Sequence, residues 1–386
     1  MATETPMSAA NSPASDSIRV MLVDDSAVVR GLVTRILEAE PGIQIAASVG
    51  NGQMAMAALE RNEIDVVILD IEMPIMDGMT ALPKLLQIDP GLKIIMQSTL
   101  TLKGADISMR ALEMGAADYI PKPTATKDLA GGADFKAELV GKIRALGTAR
   151  RRDPKRPARP GGPPTARATT QITPSPRVAI HPPGPLSLRT HAAEPPDIIA
   201  IGSSTGGPQA LFALLGTMRV GTVHQPIVIT QHMPATFTTI LGEHISRVSG
   251  WDAREAQDGE TVKGGRVYIA PGDFHMVIET KGADKVLRLN KNPPENFCRP
   301  AVDPMLRSIA AAYGKRVLAC ILTGMGSDGL KGGQAVVASG GTVIAQDEAT
   351  SVVWGMPGAV ATAGICSAVL PLPEVAPWIM KLAARR

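Results

Sequence analysis

Aromatic residues make up only 3% of this 386-residue chain, and its formal net charge is just +3. Few rings leave few platforms for stacking bases, and so small a charge attracts phosphates weakly, which argues against a nucleic-acid partner. Cysteine is scarce as well. Cys298, Cys320 and Cys366 are odd in number and lack metal-ligand spacing, which speaks against a disulfide framework or a zinc site and fits a reducing, cytoplasmic compartment. No run approaches about 18 consecutive apolar residues, and residues 1–16 lack the apolar segment of a signal peptide, so neither membrane insertion nor export is expected. What the chain does have is apolar residues, 45% against 19% charged, enough for sizeable cores. Its length exceeds what one core usually organises, so two domains are expected.

The break is visible in composition. Between Arg150 and Pro196 twelve prolines occur with many Gly, Ser and Thr and almost no apolar periodicity, which is the pattern of a linker. Eight basic against two acidic residues from 151 to 196 place six positive charges there, so the flanking regions are together net acidic. The stretch reads as a solvated, semi-extended spacer, with a docking site for an acidic partner as the alternative. The expected division is a disordered tail over 1–16, one domain over 17–147, the linker over 148–196 and a second domain over 197–386.

Before the linker, short β-branched runs at Ile18–Val23, Ile43–Val49, Asp65–Leu69, Lys93–Gln97 and Ala117–Ile120 alternate with helical patterns. One such helix spans Ala27–Glu38, with Val28, Leu32 and Ile36 as its apolar stripe. Five βα units on a parallel sheet result, a flavodoxin-like doubly wound α/β arrangement. After the linker the alternation resumes with strands at Asp197–Ile201, Pro226–Thr230, Val317–Leu322 and Thr342–Ala345. The Gly-rich stretch from Asp258 to Asn290 is expected to form antiparallel hairpins inserted into a mainly parallel second α/β domain.

Functional groups in open parallel sheets collect at the carboxyl ends of strands, near the switch in strand order. Asp24 and Asp25 follow the first strand and Asp70 the third, and those strands are neighbours in a five-stranded doubly wound sheet. Clustered carboxylates repel, and a hard cation such as Mg²⁺ resolves the repulsion while neutralising a phosphoryl group arriving on Asp70. Ser98 could hydrogen-bond that group and Lys122 pair with it, and the Lys122–Pro123 bond leaves room for unusual peptide geometry. Helix N-capping by one of Asp24 and Asp25, and simple packing for Tyr119, are the competing structural explanations.

In the second half, Ile198–Ile201 leads into Gly202-Ser203-Ser204-Thr205-Gly206-Gly207-Pro208 and then a helical pattern over Gln209–Leu215. The glycine spacing fits no nucleotide loop but satisfies G-x-S-x-G, with Ser204 at a helix N-terminus. A serine hydroxyl needs an imidazole to take its proton and a carboxylate to orient the imidazole. Of six histidines, His181 and His191 fall in the linker, His224 in a loop, His244 partly buried on a helix and His275 in a hairpin. His232, following Pro226–Gln231, lies at the sheet edge that carries Ser204. Spacing leaves Asp328 and Asp347 both open as the acid.

Val23-Asp24-Asp25-Ser26, Leu69-Asp70-Ile71-Glu72-Met73-Pro74, Met76-Asp77-Gly78, Ser98 and Lys122-Pro123 together resemble the receiver domain of two-component response regulators, over about residues 18–145. The resemblance implies that Asp70 accepts phosphate from a histidine kinase, that Asp24, Asp25 and Asp70 hold Mg²⁺, and that Ser98, Tyr119 and Lys122 serve the switch. Gly202–Gly207, Gln231-His232-Met233-Pro234, Ile269–Asp273, Leu322–Gly329 and Gly355-Met356-Pro357 resemble the catalytic domain of the chemotaxis protein-glutamate methylesterases, the CheB family, over about 197–385. That likeness implies Ser204, not Ser203, as nucleophile, His232 as base, Asp328 as orienting acid, and oxyanion donors near Met325 and the helix after Ser204, with no cofactor in this domain. It further implies demethylation of glutamyl methyl esters, deamidation of glutamines, and a chemotaxis kinase and methyl-accepting receptors as partners. The rival is a non-catalytic, phosphorylation-controlled adaptor or phosphate sink. Ser203, Gln97-Ser98-Thr99, the long linker and Cys298 in Asn296-Phe297-Cys298-Arg299-Pro300 depart from the usual pattern, and Cys298 reads as a packing residue.

Overall fold

A computed structural model describes residues 17–123, 133–152 and 186–384; the expected tail and the greater part of the expected linker lie outside them. The first domain runs β1 (Ile18–Val23), α1 (Ala27–Glu38), β2 (Ile43–Val49), α2 (Gly52–Arg61), β3 (Val66–Asp70), α3 (Gly78–Ile88), β4 (Lys93–Ser98), α4 (Leu102–Glu113), β5 (Asp118–Pro121) and α5 (Ala133–Arg152). Its five strands pair in parallel in the order β2-β1-β3-β4-β5. Strands covered by helices on both faces must be apolar throughout, and β3 is buried at every position. Strand order reverses between β1 and β3, which opens a crevice at their carboxyl ends.

Two local expectations shift. The buried side of α1 is Val33 and Leu37, with Val29 and Ile36 packed beside them, whereas Val28 is 70% exposed. Both apolar columns repeat at four residues, so periodicity cannot choose between them; contact with β1 and β2 does. α5 continues to Arg152, into the stretch assigned to the linker, because its arginines find carboxylates: Arg150 pairs with Asp89 at 2.5 Å and Arg151 with the buried Asp65 at 2.9 Å. At the far end of that stretch the backbone is docked, Arg189 N donating to Cys366 O and Ala192 N to Thr342 Oγ1, both at 2.9 Å.

The second domain comprises β6 (Ile198–Ser203), α6 (Gly207–Thr217), β7 (Ile227–Gln231), α7 (Ala235–Ser249), β8 (Asp252–Glu255), β9 (Arg266–Ile269), β10 (His275–Lys281) and β11 (Asp284–Asn290). It continues through α8 (Val302–Tyr313), β12 (Val317–Ile321), α9 (Leu330–Ala338), β13 (Thr342–Gln346), α10 (Met356–Thr362), β14 (Ala368–Leu370) and α11 (Leu372–Ala383). Seven parallel strands lie in the order β14-β13-β12-β6-β7-β9-β8, and β10 and β11 form one antiparallel hairpin. The Gly-rich stretch is therefore only partly a hairpin: Val267, Tyr268 and Ile269 of β9 are fully buried and join the parallel sheet. Here order reverses between β6 and β12, the two strands whose exits carry Ser204 and Asp328.

The domains touch. Tyr119 of β5 stacks on Phe237 of α7 with centroids 4.2 Å apart and planes 9° from parallel, a contact of about 0.5–1.5 kcal/mol beyond its buried area. His244 of α7, 1% exposed rather than partly buried, sits between Asp106 and Glu113 of α4, 3.0 Å from each. Val353, ahead of α10, belongs to the same apolar cluster as Leu139 and Ile143 of α5. No helix among the described residues is long and apolar enough to cross a membrane.

Candidate functional site

The crevice of the first domain gathers Asp24, Asp25 and Asp70, one oxygen of each lying within 4.8 Å of the others. Asp24 and Asp70 are buried and Asp25 is exposed. Ser26, not either aspartate, caps α1 by accepting from Val29 N, while Asp24 Oδ1 accepts from Ser26 N at 2.7 Å. Lys122 Nζ lies 2.6 Å from Asp70 Oδ2 and 3.8 Å from Asp24 Oδ2. Burial pushes the Asp70 carboxyl up to about 6, against the pull of Lys122, and burial likewise raises Asp24. Asp24 Oδ2 is buried with no hydrogen-bond partner among the described residues. An all-oxygen donor set with one orphaned carboxylate oxygen fits a hard divalent cation. A groove of about 720 Å³ lined by Asp25, Glu72, Met73, Lys103 and Arg110 opens beside it.

Ser98, at the end of β4, is buried and accepts a hydrogen bond from Ser108 Oγ at 2.9 Å, while its carbonyl accepts from Lys122 N at 2.7 Å. Tyr119 is buried in the domain interface, with Lys142 Nζ 4.9 Å from its ring centroid. Burial holds its phenol well above the ordinary range. The cis peptide among the described residues is Arg299–Pro300, not Lys122–Pro123.

Ser204 sits on the turn between β6 and α6. The turn needs its glycines: Gly206 has φ +75° and an added Cβ would lie 2.6 Å from Val352, while one on Gly202 would lie 2.6 Å from Val302. Ser203 Oγ donates to Gln231 Oε1 at 2.7 Å, and Gln231 Nε2 donates to Ser204 O at 2.9 Å. Ser204 N donates to Thr323 O, stitching the turn to the exit of β12. Ser203 pairs with Gln231 across the sheet, so Ser204 and His232 leave neighbouring strands side by side.

His232 Nε2 is 2.8 Å from Asp328 Oδ2. Asp328 is 1% exposed and accepts four further donors: Val302 N at 2.6 Å and Asp303 N at 3.0 Å from the first turn of α8, Gly329 N at 3.0 Å and Asn296 Nδ2 at 2.9 Å. Burial alone would raise this carboxyl; His232 and the α8 N–H groups outweigh it and hold it below the usual range. Asp347 instead accepts from Thr350 N and Oγ1, and His275 Nδ1 accepts from Ala301 N, so neither joins the group. Among the described residues Ser204 Oγ makes no hydrogen bond, and His232 Nδ1 faces Cys298 Sγ at 3.4 Å. Burial opposes charge on His232, but Cys298 and Asp328 outweigh it and raise its pKa. The Met325 amide makes no hydrogen bond within the described residues, and its side chain, 37% exposed, meets α5, where a Cβ on Gly141 would lie 3.1 Å from Met325 Cε.

Asn296 and Asp303 escaped the sequence reading. Asp303 Oδ1 accepts from Gly329 N and Gly332 N, and its Oδ2 from Asn296 Nδ2, which buttresses the Asp328 loop. Its one legible signal was an acidic residue in the first turn of a helix. Asn296 had none, since its contact depends on a turn in which Asn296 and Phe297 both take positive φ, +52° and +63°.

Known proteins align with this geometry. The CheB methylesterase family matches residues 199–379 and the response regulator receiver domain matches residues 20–132. A protein-glutamate methylesterase/protein-glutamine glutaminase 1 of Paramagnetospirillum magneticum is 85% identical over 377 residues, 97% of this chain and 98% of its own. A namesake from Rhodospirillum rubrum is 60% identical over 377 residues, 96% of each chain. The solved catalytic domain of Thermotoga maritima CheB methylesterase is 43% identical, with a TM-score of 0.47, over 48% of this chain and 98% of that one. Identity of this order along nearly the whole of both chains, with a receiver fold ahead of a methylesterase fold, shows that the chain belongs to the CheB family of protein-glutamate methylesterases/protein-glutamine glutaminases.

Proposed function

We propose that this cytoplasmic enzyme hydrolyses glutamyl methyl esters and deamidates glutamines on methyl-accepting chemotaxis receptors, with Ser204 as nucleophile, His232 as base and Asp328 as its orienting acid. The observation that carries the assignment is the 2.8 Å His232–Asp328 hydrogen bond beside Ser204, on adjacent strand exits at the switch point. Asp328, saturated with donors, holds the Nε2–H, so Nδ1 is the nitrogen that takes the Ser204 proton. For that step Nδ1 exchanges Cys298 for Ser204 Oγ once substrate is bound; hydrogen bonds of this kind commonly tighten in the productive complex. Ser204 Oγ attacks the ester or amide carbonyl, and amides of Met325 and of the first turn of α6 hold the oxyanion. Collapse returns the proton to the leaving group, expelling methanol or ammonia, and water with His232 as base releases glutamate. Ser204→Ala tests this directly: methanol release from methylated receptor should fall by several orders of magnitude, and near-full release would favour the adaptor.

The receiver supplies control. Asp70 is the phosphoacceptor for a chemotaxis histidine kinase, and Asp24, Asp25 and Asp70 would hold Mg²⁺, which when bound neutralises the incoming phosphoryl group. Lys122 and Ser98 would contact that group, and Tyr119, stacked on Phe237, carries the change to α7. Unphosphorylated, the receiver sits over the Ser204 side through Met325 and Gly141, and phosphorylation shifts the population toward an open enzyme.

A further inference from the structure

The catalytic domain holds a second nucleophile at the same imidazole. Cys298 Sγ is 3.4 Å from His232 Nδ1, while Nε2 is held by Asp328. Asp328 can only accept in its ionised state, so the neutral imidazole carries its proton on Nε2 and turns a lone pair toward the thiol. The thiol proton can therefore pass to Nδ1, leaving a thiolate beside an imidazolium whose charge Asp328 offsets. A nucleophile, a base and a group orienting the base within contact are the signature of an activated cysteine. The position is built rather than incidental. Glu295 and Cys298 pair N–H to O in both directions across a turn whose two central residues have positive φ, and Asn296 of that turn is pinned to Asp303 and Asp328. The residue is also half-buried rather than enclosed, whereas Cys320 and Cys366 are fully buried and burial pushes both of their thiols up.

We propose that Cys298 is a modification site, a thiol activated by His232 that reacts with peroxides and soft electrophiles and thereby silences the esterase by holding Nδ1 away from Ser204. The inference rests on His232 being the base. With hydrogen peroxide the sulfur attacks one oxygen, an S–O bond forms as the O–O bond breaks, and the proton held by His232 leaves with the second oxygen as water. Cysteine is oxidised to the sulfenic acid and peroxide is reduced, a change that thiol reductants reverse. With iodoacetamide an S–C bond forms and iodide departs.

The test uses the full-length chain and follows all three cysteines by peptide mass spectrometry during limited iodoacetamide treatment. Cys298 should react at least about tenfold faster than Cys320 and Cys366, and His232→Gln should erase about tenfold of that rate, since thiolate fraction sets reactivity. Slow labelling of Cys320 and Cys366 in the variant reports that it is folded, and Asp328→Asn repeats the comparison independently. Loss of methyl-ester hydrolysis should track Cys298 labelling, peroxide should produce a dimedone-trapped Cys298 unless dithiothreitol is added first, and Cys298→Ala should keep its own untreated rate through both reagents. The proposal falls if Cys298 reacts no faster than the buried cysteines, reacts equally fast in His232→Gln, or can be fully labelled without loss of hydrolysis. Turnover of untreated His232→Gln separates the two readings, because a near-normal rate there removes the base assignment while leaving the labelling comparison intact.

Discussion

Asp70 and Asp328 are both buried carboxylates at the switch point of a parallel sheet, yet their electrostatics point in opposite directions. Asp70 has Lys122 at 2.6 Å and a single distant amide, Glu72 N at 3.4 Å, and burial wins, pushing it up to about 6. Asp328 is ringed by five donors and sits below its ordinary range. Desolvation is common to both; at Asp328 His232 and the backbone donors overturn it, whereas at Asp70 Lys122 does not, with the charge of Asp24 adding to the upward push. The difference matches the work proposed for each: as a phosphoacceptor sharing a cation, Asp70 would need oxygen lone pairs left unspent, whereas Asp328, as the group fixing an imidazole tautomer, would spend all of its own.

The largest effect should come from the under-satisfied side. Asp70→Asn, or excess chelator with the unchanged chain, should reduce labelling from a small acyl-phosphate donor to background, and undiminished labelling in chelator would break the metal half of the comparison. Next in size is the join between the regions. Gly141→Leu places a side chain against Met325, in a helix that tolerates leucine better than glycine, and should raise unphosphorylated ester hydrolysis by roughly five- to 150-fold, the range of a 1–3 kcal/mol coupling. An unchanged basal rate with a normal response to phosphodonor would remove occlusion by α5. The smallest change sharpens the saturated side: Asn296→Ala removes one of five donors from Asp328 and should slow hydrolysis by about tenfold, near the lower end for a hydrogen bond to a charged group. A loss as large as that of Ser204→Ala would mean that Asn296 does more than position the acid.

Much of this was legible in the chain because strands covered on both faces must be continuous apolar runs, and their exits are punctuated by short polar motifs. β1, β3, β4, β6 and β12 could be placed within a residue or two, and with them Asp24, Asp70, Ser98 and Ser204. β8 and β14 were not anticipated: at four and three residues they sit on sheet edges, where polar faces are tolerated and no buried run is required. The face of α1 was misjudged for a different reason, since two apolar columns with the same spacing compete and only the neighbouring strands distinguish them.

Composition, run length and turn chemistry by themselves determined two α/β domains, a Pro- and Arg-rich junction, and which side chains reach the two switch points. These are local properties, set by what a few consecutive residues can bury or bend. Spacing left Asp328 and Asp347 both open and only the family resemblance favoured Asp328, whose contact with His232 is a tertiary one; tertiary structure alone decided that Asn296 and Asp303 hold Asp328, that Tyr119 stacks on Phe237, and that Cys298 lies at Nδ1. Each of those contacts joins residues from separate elements, and its distance is set by how strands register and helices pack, which no spacing along the chain encodes.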